Sequence, residues 1–190
     1  EGLPGYKKGD VVVYDVEKAK RLISEYIKEK KKKPKIMLTT NSTYVDISEY
    51  LQREWQKIGI EVQVDVTPPA TLRQSMATGK VSFFRGSWIA DYPDAENYLS
   101  LFSSSNFAPN GPNYTHFKNN QFDVLYKESF LKTEIESRKK DYEKMDAILK
   151  DEVPVIVLFY DKVVRFTQSN VSGLGTHPMN LMTLKRVRKE

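Results

Sequence analysis

Asp91 and Asp94 stand three positions apart in the segment Trp88-Ile89-Ala90-Asp91-Tyr92-Pro93-Asp94. Two carboxylates facing one cleft about 5 to 10 Å apart are the raw material of glycoside hydrolysis, provided one has a raised pKa and acts as the acid. The same Asp-Tyr-Pro-Asp spelling also describes a turn and a helix start, with Asp94 capping a helix that begins near Ala95. Asp91 has no such duty, because no apolar-periodic run follows it closely enough to need a cap. His116 and His177 are the only histidines, and neither has a neighbour at metal-ligand spacing, so both read as surface or loop side chains. No Gly-x-Ser-x-Gly elbow and no Gly-rich phosphate cradle occurs. The chain has no cysteine, which excludes disulfides, thiolate metal sites and cysteine nucleophiles. An enzyme built on this sequence lacks a nucleophile, a metal set and a cofactor motif. The expectation is therefore binding without catalysis, with no catalytic residue, no metal and no cofactor.

The elements that must position these residues follow from periodicity. Asp15 is a plausible N-cap, and Val16, Ala19, Ile23 and Tyr26/Ile27 recur at helical spacing, so a helix runs to about Lys30 before Pro34. A buried strand is expected from Lys35 to Thr40. Ile47, Leu51, Trp55 and Ile58 form one apolar stripe of a second helix that Gly59 stops. Ile60 to Val66 alternates as a strand, Pro68 and Pro69 open a short helix carrying Leu72 and Met76 inward, and Val81 to Trp88 reads as a third strand. Such alternation predicts an α/β fold with a largely parallel sheet covered by helices. Ligands of such sheets sit beyond the carboxyl ends of the strands, and this is where Asp91 falls.

Ser103 to Asn113 is a long loop by composition, and long loops in compact domains are often functional. Two helices are expected at about Asn120 to Lys132 and Glu134 to Asp151, the second burying Ile135, Tyr142, Met145 and Ile148/Leu149. Val153 to Tyr160, Lys162 to Gln168 and Leu181 to Val187 read as strands. The 190 residues, 39% of them hydrophobic, suit one compact body. Aromatics make up 12%, which suits a surface that grips organic ligands. The net charge of +5 is concentrated between Lys28 and Lys35, with Glu29 the only acid there. With no aromatics interleaved, that cluster reads as a solvated helix end rather than a nucleic-acid interface. The chain begins at Glu1 without a basic-plus-apolar leader and has no run of about 18 apolar residues, so a processed or excised soluble piece is expected.

Several stretches taken together resemble the C-terminal part of the peptide/nickel-type (family 5) solute-binding proteins of ATP-binding-cassette (ABC) importers. Tyr14-Asp15-Val16-Glu17-Lys18-Ala19-Lys20-Arg21-Leu22 is similar to the family's helix start. Glu49-Tyr50-Leu51-Gln52 with Ile58-Gly59-Ile60-Glu61-Val62 resembles its leucine-glutamine and isoleucine-glycine-isoleucine segments. The stretch from Trp88 to Asp94 is close to the family's tryptophan-x-x-aspartate-tyrosine-proline-aspartate. Asn113-Tyr114, Phe122-Asp123, Arg138-Lys139 and Glu152-Val153-Pro154-Val155-Ile156 complete the series in order.

The resemblance implies a single lobe of a type II periplasmic-binding-protein-like fold, a mixed sheet flanked by helices, with residues 1–190 forming the C-terminal ligand-binding lobe of a longer two-lobed receptor. Residues 181–190 would belong to a strand crossing to the other lobe. It implies that Asp91 pairs with the α-ammonium group of a peptide, that Trp88 forms an apolar wall with Tyr92 nearby, and that Arg85 faces the ligand's carboxyl end. An ammonium is costly to bury unless a carboxylate meets it, and the planar arginine fork suits a carboxylate. The implied partners are a small peptide or other small polar solute and the membrane permease of an ABC importer, with no nucleic acid. The intact receptor is expected to be a monomer, periplasmic or at the cell surface, with a lipoprotein anchor possible in the full-length protein. Ser87 departs from the pattern, relatives commonly having glycine there, and the loop from Ser103 to Gly111 matches no member closely. Three alternatives stay open: a receptor of the same class for a metal chelate, oligosaccharide or opine; an envelope hydrolase using Asp91 and Asp94; and a module that signals ligand presence to a membrane partner.

Overall fold

The structure, a computed structural model, describes residues 14–160, 163–177 and 181–190. The described chain divides into two compact units rather than the one body expected from its length. One unit comprises residues 14–87 with 106–116, the other residues 88–105 with 117–190.

In the first unit, helix α1 (Val16–Lys30) starts where Asp15 accepts a hydrogen bond from the Lys18 backbone N–H at 2.8 Å. Its stripe of Val16, Ala19, Ile23, Tyr26 and Ile27 is half-buried and its lysines face water. Strand β1 (Lys35–Thr40) pairs in parallel with β2 (Glu61–Val66), in a register that sets Leu38 against Val64 and Thr40 against Val66. Helix α2 (Val45–Lys57) connects them. Its Gln52 amide donates to the Val62 carbonyl at 2.8 Å, and Ile47, Leu51, Trp55 and Ile58 form the half-buried stripe that the sequence predicts. Gly59 follows at φ +96°, a conformation that favours glycine. Helix α3 (Pro69–Ala77) buries Leu72, as β1 buries Leu38 and β2 buries Val62.

The third predicted strand, Val81 to Trp88, is reduced to one parallel bridge between Phe84 and Thr39. Its hydrogen bonds run from the Thr39 N–H to the Phe83 carbonyl and from the Arg85 N–H to the Thr39 carbonyl, both 3.0 Å. Gly86 and Ser87 then interrupt the apolar run, leaving no apolar side chain at either position to pack a longer ladder. Part of the predicted long loop returns to this unit as an ordered turn. Phe107 bridges Asn113, the Asn113 N–H donates to Asn106 at 2.7 Å, and a Cβ on Gly111 would stand 2.5 Å from the Asn106 carbonyl oxygen.

The second unit is mainly helical. A short helix, α4 (Glu96–Leu99), precedes α5 (Asn120–Ser129) and α6 (Ile135–Glu152). Asn119 caps α5 by accepting from the Phe122 N–H at 3.0 Å. The core is Leu99, Phe102, Phe122, Leu125, Tyr126, Tyr142 and Met145, with Ile148 and Leu149 packed against it. Phe122 stacks on Tyr126 and meets Phe102 and Phe117 edge-on. The predicted helices are thus present. Ile135, however, is exposed, because it is the first residue of α6 and precedes the turn that meets the core.

The strands predicted at Val153 to Tyr160 and Leu181 to Val187 do not form. Val155, Ile156, Val157 and Phe159 are all exposed, and no ladder joins this segment to another among the described residues. Apolar alternation can propose a strand, but only a paired backbone makes one. Of Lys162 to Gln168, residue 162 lies outside the described residues, and 163–168 adopt no strand. The pairing that does occur is a short antiparallel one, β3 (Val171–Ser172) with β4 (Arg188–Lys189), which puts the last strand at 188–189 rather than in the run from Leu181. The mixture of parallel and antiparallel strands with helices gives the α/β class read from the sequence.

Candidate functional site

Trp88, Asp91 and Tyr92 lie on one turn of the second unit, between the start of that unit and α4. Arg85 belongs to the first unit. Asn97, in α4 and buried, organises the turn. Its Oδ1 accepts from the Trp88 indole Nε1–H at 2.8 Å and from the Asp91 backbone N–H at 3.1 Å. Glu96, also buried, accepts from the hydroxyls of Tyr92 and Tyr126 on its two oxygens. The Tyr92 hydroxyl is held above its ordinary pKa, chiefly by the adjacent Glu96 carboxylate and then by burial, with the Asn97 amide acting the other way.

Asp94 is turned to a different task. One oxygen accepts from the Glu96 backbone N–H at 2.9 Å and from the Tyr142 hydroxyl at 3.0 Å, and the other accepts from Arg138 Nη2 at 2.9 Å. Arg138 also donates to the Tyr142 hydroxyl. Asp94 therefore binds the first N–H of α4 but is not its N-cap, a position Ala95 holds, because the chain is already helical at Ala95; it also ties α4 to α6, which the sequence did not reveal. Burial, and secondarily the bond to Asp94, push the Tyr142 phenol up to about 12. Both oxygens of Asp94 are thus engaged by groups of the protein.

Asp91 is the contrasting case. Its side chain is exposed, and no hydrogen bond or ion pair to its carboxylate is present among the described residues. Its backbone N–H is fixed while its charge faces outward. Trp88 is half-buried, with its polar edge already satisfied by Asn97, leaving its remaining surface apolar. Tyr92 is 45% exposed. The turn thus offers one free anion with aromatic surface next to it, suited to a cation carried on an organic body.

In the first unit, the Arg85 guanidinium lies 3.3 Å from the centre of the Tyr44 ring and donates to the Ser87 hydroxyl at 3.4 Å. No carboxylate pairs with it among the described residues. It stands next to the bridge at the carboxyl-terminal part of β1, where α/β sheets commonly hold ligands. Tyr44, which the sequence reading did not single out, is its platform. His116 serves the ordered turn: its ring packs edge-on against Phe107, and Nε2 lies 3.2 Å from the Ala108 carbonyl. Among the described residues no group of three or more histidines, aspartates or glutamates stands together as a metal site, and no helix is long and apolar enough to cross a membrane.

Residues 1–110 match the family model described as bacterial extracellular solute-binding proteins, family 5 middle. The chain is 25% identical over 182 residues to the dipeptide-binding protein DppE of Bacillus subtilis strain 168, a match covering 93% of this chain and 33% of that protein. It is 27% identical over 128 residues to YgiS of Escherichia coli K12, named a probable deoxycholate-binding periplasmic protein, covering 67% of this chain and 23% of that one. The solved structure of HbpA2 from Haemophilus parasuis superposes with a TM-score of 0.79 at 19% identity, covering 99% of this chain and 38% of that one. The chain spans about a third of the length of DppE. With residues 1–110 matching its model, this chain belongs to the bacterial extracellular solute-binding proteins of family 5.

Proposed function

We propose that this chain is the C-terminal lobe of a two-lobed receptor that binds small peptides and delivers them to the permease of an ABC importer at the cell envelope. Asp91 pairs with the peptide's α-ammonium group, and Trp88 and Tyr92 line the ligand's apolar side. The observation that carries this reading is the unpaired, exposed Asp91 carboxylate on a turn whose neighbouring Asp94 is fully engaged. A free anion beside aromatic surface suits a cationic organic group, and lobe closure that removes water would strengthen the pairing. A peptide backbone presents the same polar groups whatever its side chains, so a receptor reading termini and main chain accepts many sequences.

The name of DppE supports peptides, and its match spans more of the chain than that of YgiS, whose name favours a second reading, a non-peptide organic solute. Isothermal titration of the two-lobed receptor with a mixed di- to pentapeptide library, wild type beside Asp91→Ala, tests the proposal. Peptide binding weakened by about 2 to 5 kcal/mol in the variant is expected, the cost of leaving a ligand charge unpaired in a closed site. Peptide binding unchanged in the variant would return Asp91 to the turn, and no peptide binding at all would favour the second reading.

A further inference from the structure

We infer that Asn97 is the positioning residue of the ligand site, one side chain that fixes both the Trp88 ring and the Asp91 backbone and so sets the receptor's preference for a charged amino terminus. The inference rests on the reading of Asp91 as the ammonium partner. Its geometric basis is a single oxygen shared by two donors. Asn97 Oδ1 accepts from the Trp88 indole at 2.8 Å and from the Asp91 N–H at 3.1 Å, joining positions nine and six residues earlier in the chain.

The asparagine is itself rigid. It is 5% exposed, its N–H donates to the Asp94 carbonyl at 3.2 Å, and its carbonyl accepts from the Ser100 hydroxyl at 2.8 Å. It also sits in a helix whose Leu99 is anchored in the core. By contrast, the Asp91 carboxylate has no protein partner of its own among the described residues to orient it. Its direction is inherited from the backbone at Asp91, and the anchor there is Asn97. A charge-assisted hydrogen bond is directional, so an anion whose base can swing loses more toward a point cation than toward a neutral group. The wall and the anion also share one support, so their spacing cannot drift independently.

The test uses the two-lobed receptor with trialanine and N-acetyltrialanine as probes, in wild type, Asp91→Ala, Asn97→Leu and Asn97→Asp. The measurements are affinities by titration and the Trp88 indole resonance in a 1H–15N spectrum, assigned against Trp88→Phe. Wild type prefers trialanine, and Asp91→Ala loses that preference. Asn97→Leu weakens trialanine by about tenfold to a hundredfold, weakens N-acetyltrialanine by less, so that the preference between the two shrinks, and moves the Trp88 indole proton upfield. Asn97→Asp, which keeps the accepting oxygen, retains the preference and the indole position. If Asn97→Leu does not fold, Asn97→Ser, too short to reach both donors, takes its place with the same expected results. A folded Asn97→Leu or Asn97→Ser that keeps the preference while Asp91→Ala loses it overturns the inference alone. Asp91→Ala keeping the preference overturns the ammonium reading and the inference with it.

Discussion

The two aspartates of the Trp88 to Asp94 segment look alike in sequence and are opposites in structure. The sequence assigns Asp94 to the cap of a following helix and Asp91 to none; Asp94 binds the Glu96 N–H of α4 while Ala95 holds the cap position, and Asp91 is left outward and unpaired. What the sequence could not show was the remainder of the support. Tyr142 and Arg138 meet Asp94 from 48 and 44 positions away, and Tyr126 meets Glu96 from 30 away, separations over which local spacing says nothing. Asn97 was closer to hand, a polar residue at a position whose neighbour Leu99 is buried, but only the fold shows it turned inward. The Asp94–Tyr142 contact has a pH signature. The Tyr142 phenol is raised from 10.0 to about 12, so the folded state holds the proton more tightly than the unfolded chain. The stabilisation is complete below pH 10 and is lost as pH rises toward 12. Urea unfolding at about pH 9 and about pH 11 should show wild type losing roughly 1 kcal/mol more than Tyr142→Phe over that interval. Equal losses would mean that the phenol titrates normally.

At the level of elements, helices were legible where strands were not. An amphipathic helix satisfies its own backbone, so the stripes of α1 and α2 and the cap at Asp15 marked those segments from local information. A strand depends on a partner that periodicity does not name. Lys35–Thr40 finds one in Glu61–Val66, whereas the equally apolar Val153 to Tyr160 finds none among the described residues. Where that segment begins, the chain adopts a conformation the sequence disfavours. Val153 closes α6 at φ 48°, ψ 53°, a left-handed geometry that costs a β-branched residue energy, while its N–H donates to the Leu149 carbonyl at 3.0 Å. Val153→Gly should therefore stabilise the protein by about 1 kcal/mol, read as a higher melting temperature. A lower melting temperature would show that the contacts of the valine side chain outweigh the backbone strain.

For the molecule as a whole, composition and element alternation were enough for the α/β class, and length alone suggested one body where two compact units exist. The division was hidden because one boundary falls between Ser87 and Trp88, inside a stretch that reads as a continuous strand, and because the second unit takes up again after residue 116. Arg85 and Asp91, six positions apart in sequence, consequently belong to different units. The account stands on the proposal that Asp91 meets a ligand ammonium in the assembled receptor. The most direct test is a double-mutant cycle on the two-lobed receptor, pairing Asp91→Ala with removal of the ligand's charge by N-acetylation of trialanine. The account predicts a coupling free energy of about 1.5 kcal/mol or more between the two changes; additive losses with no coupling would contradict it.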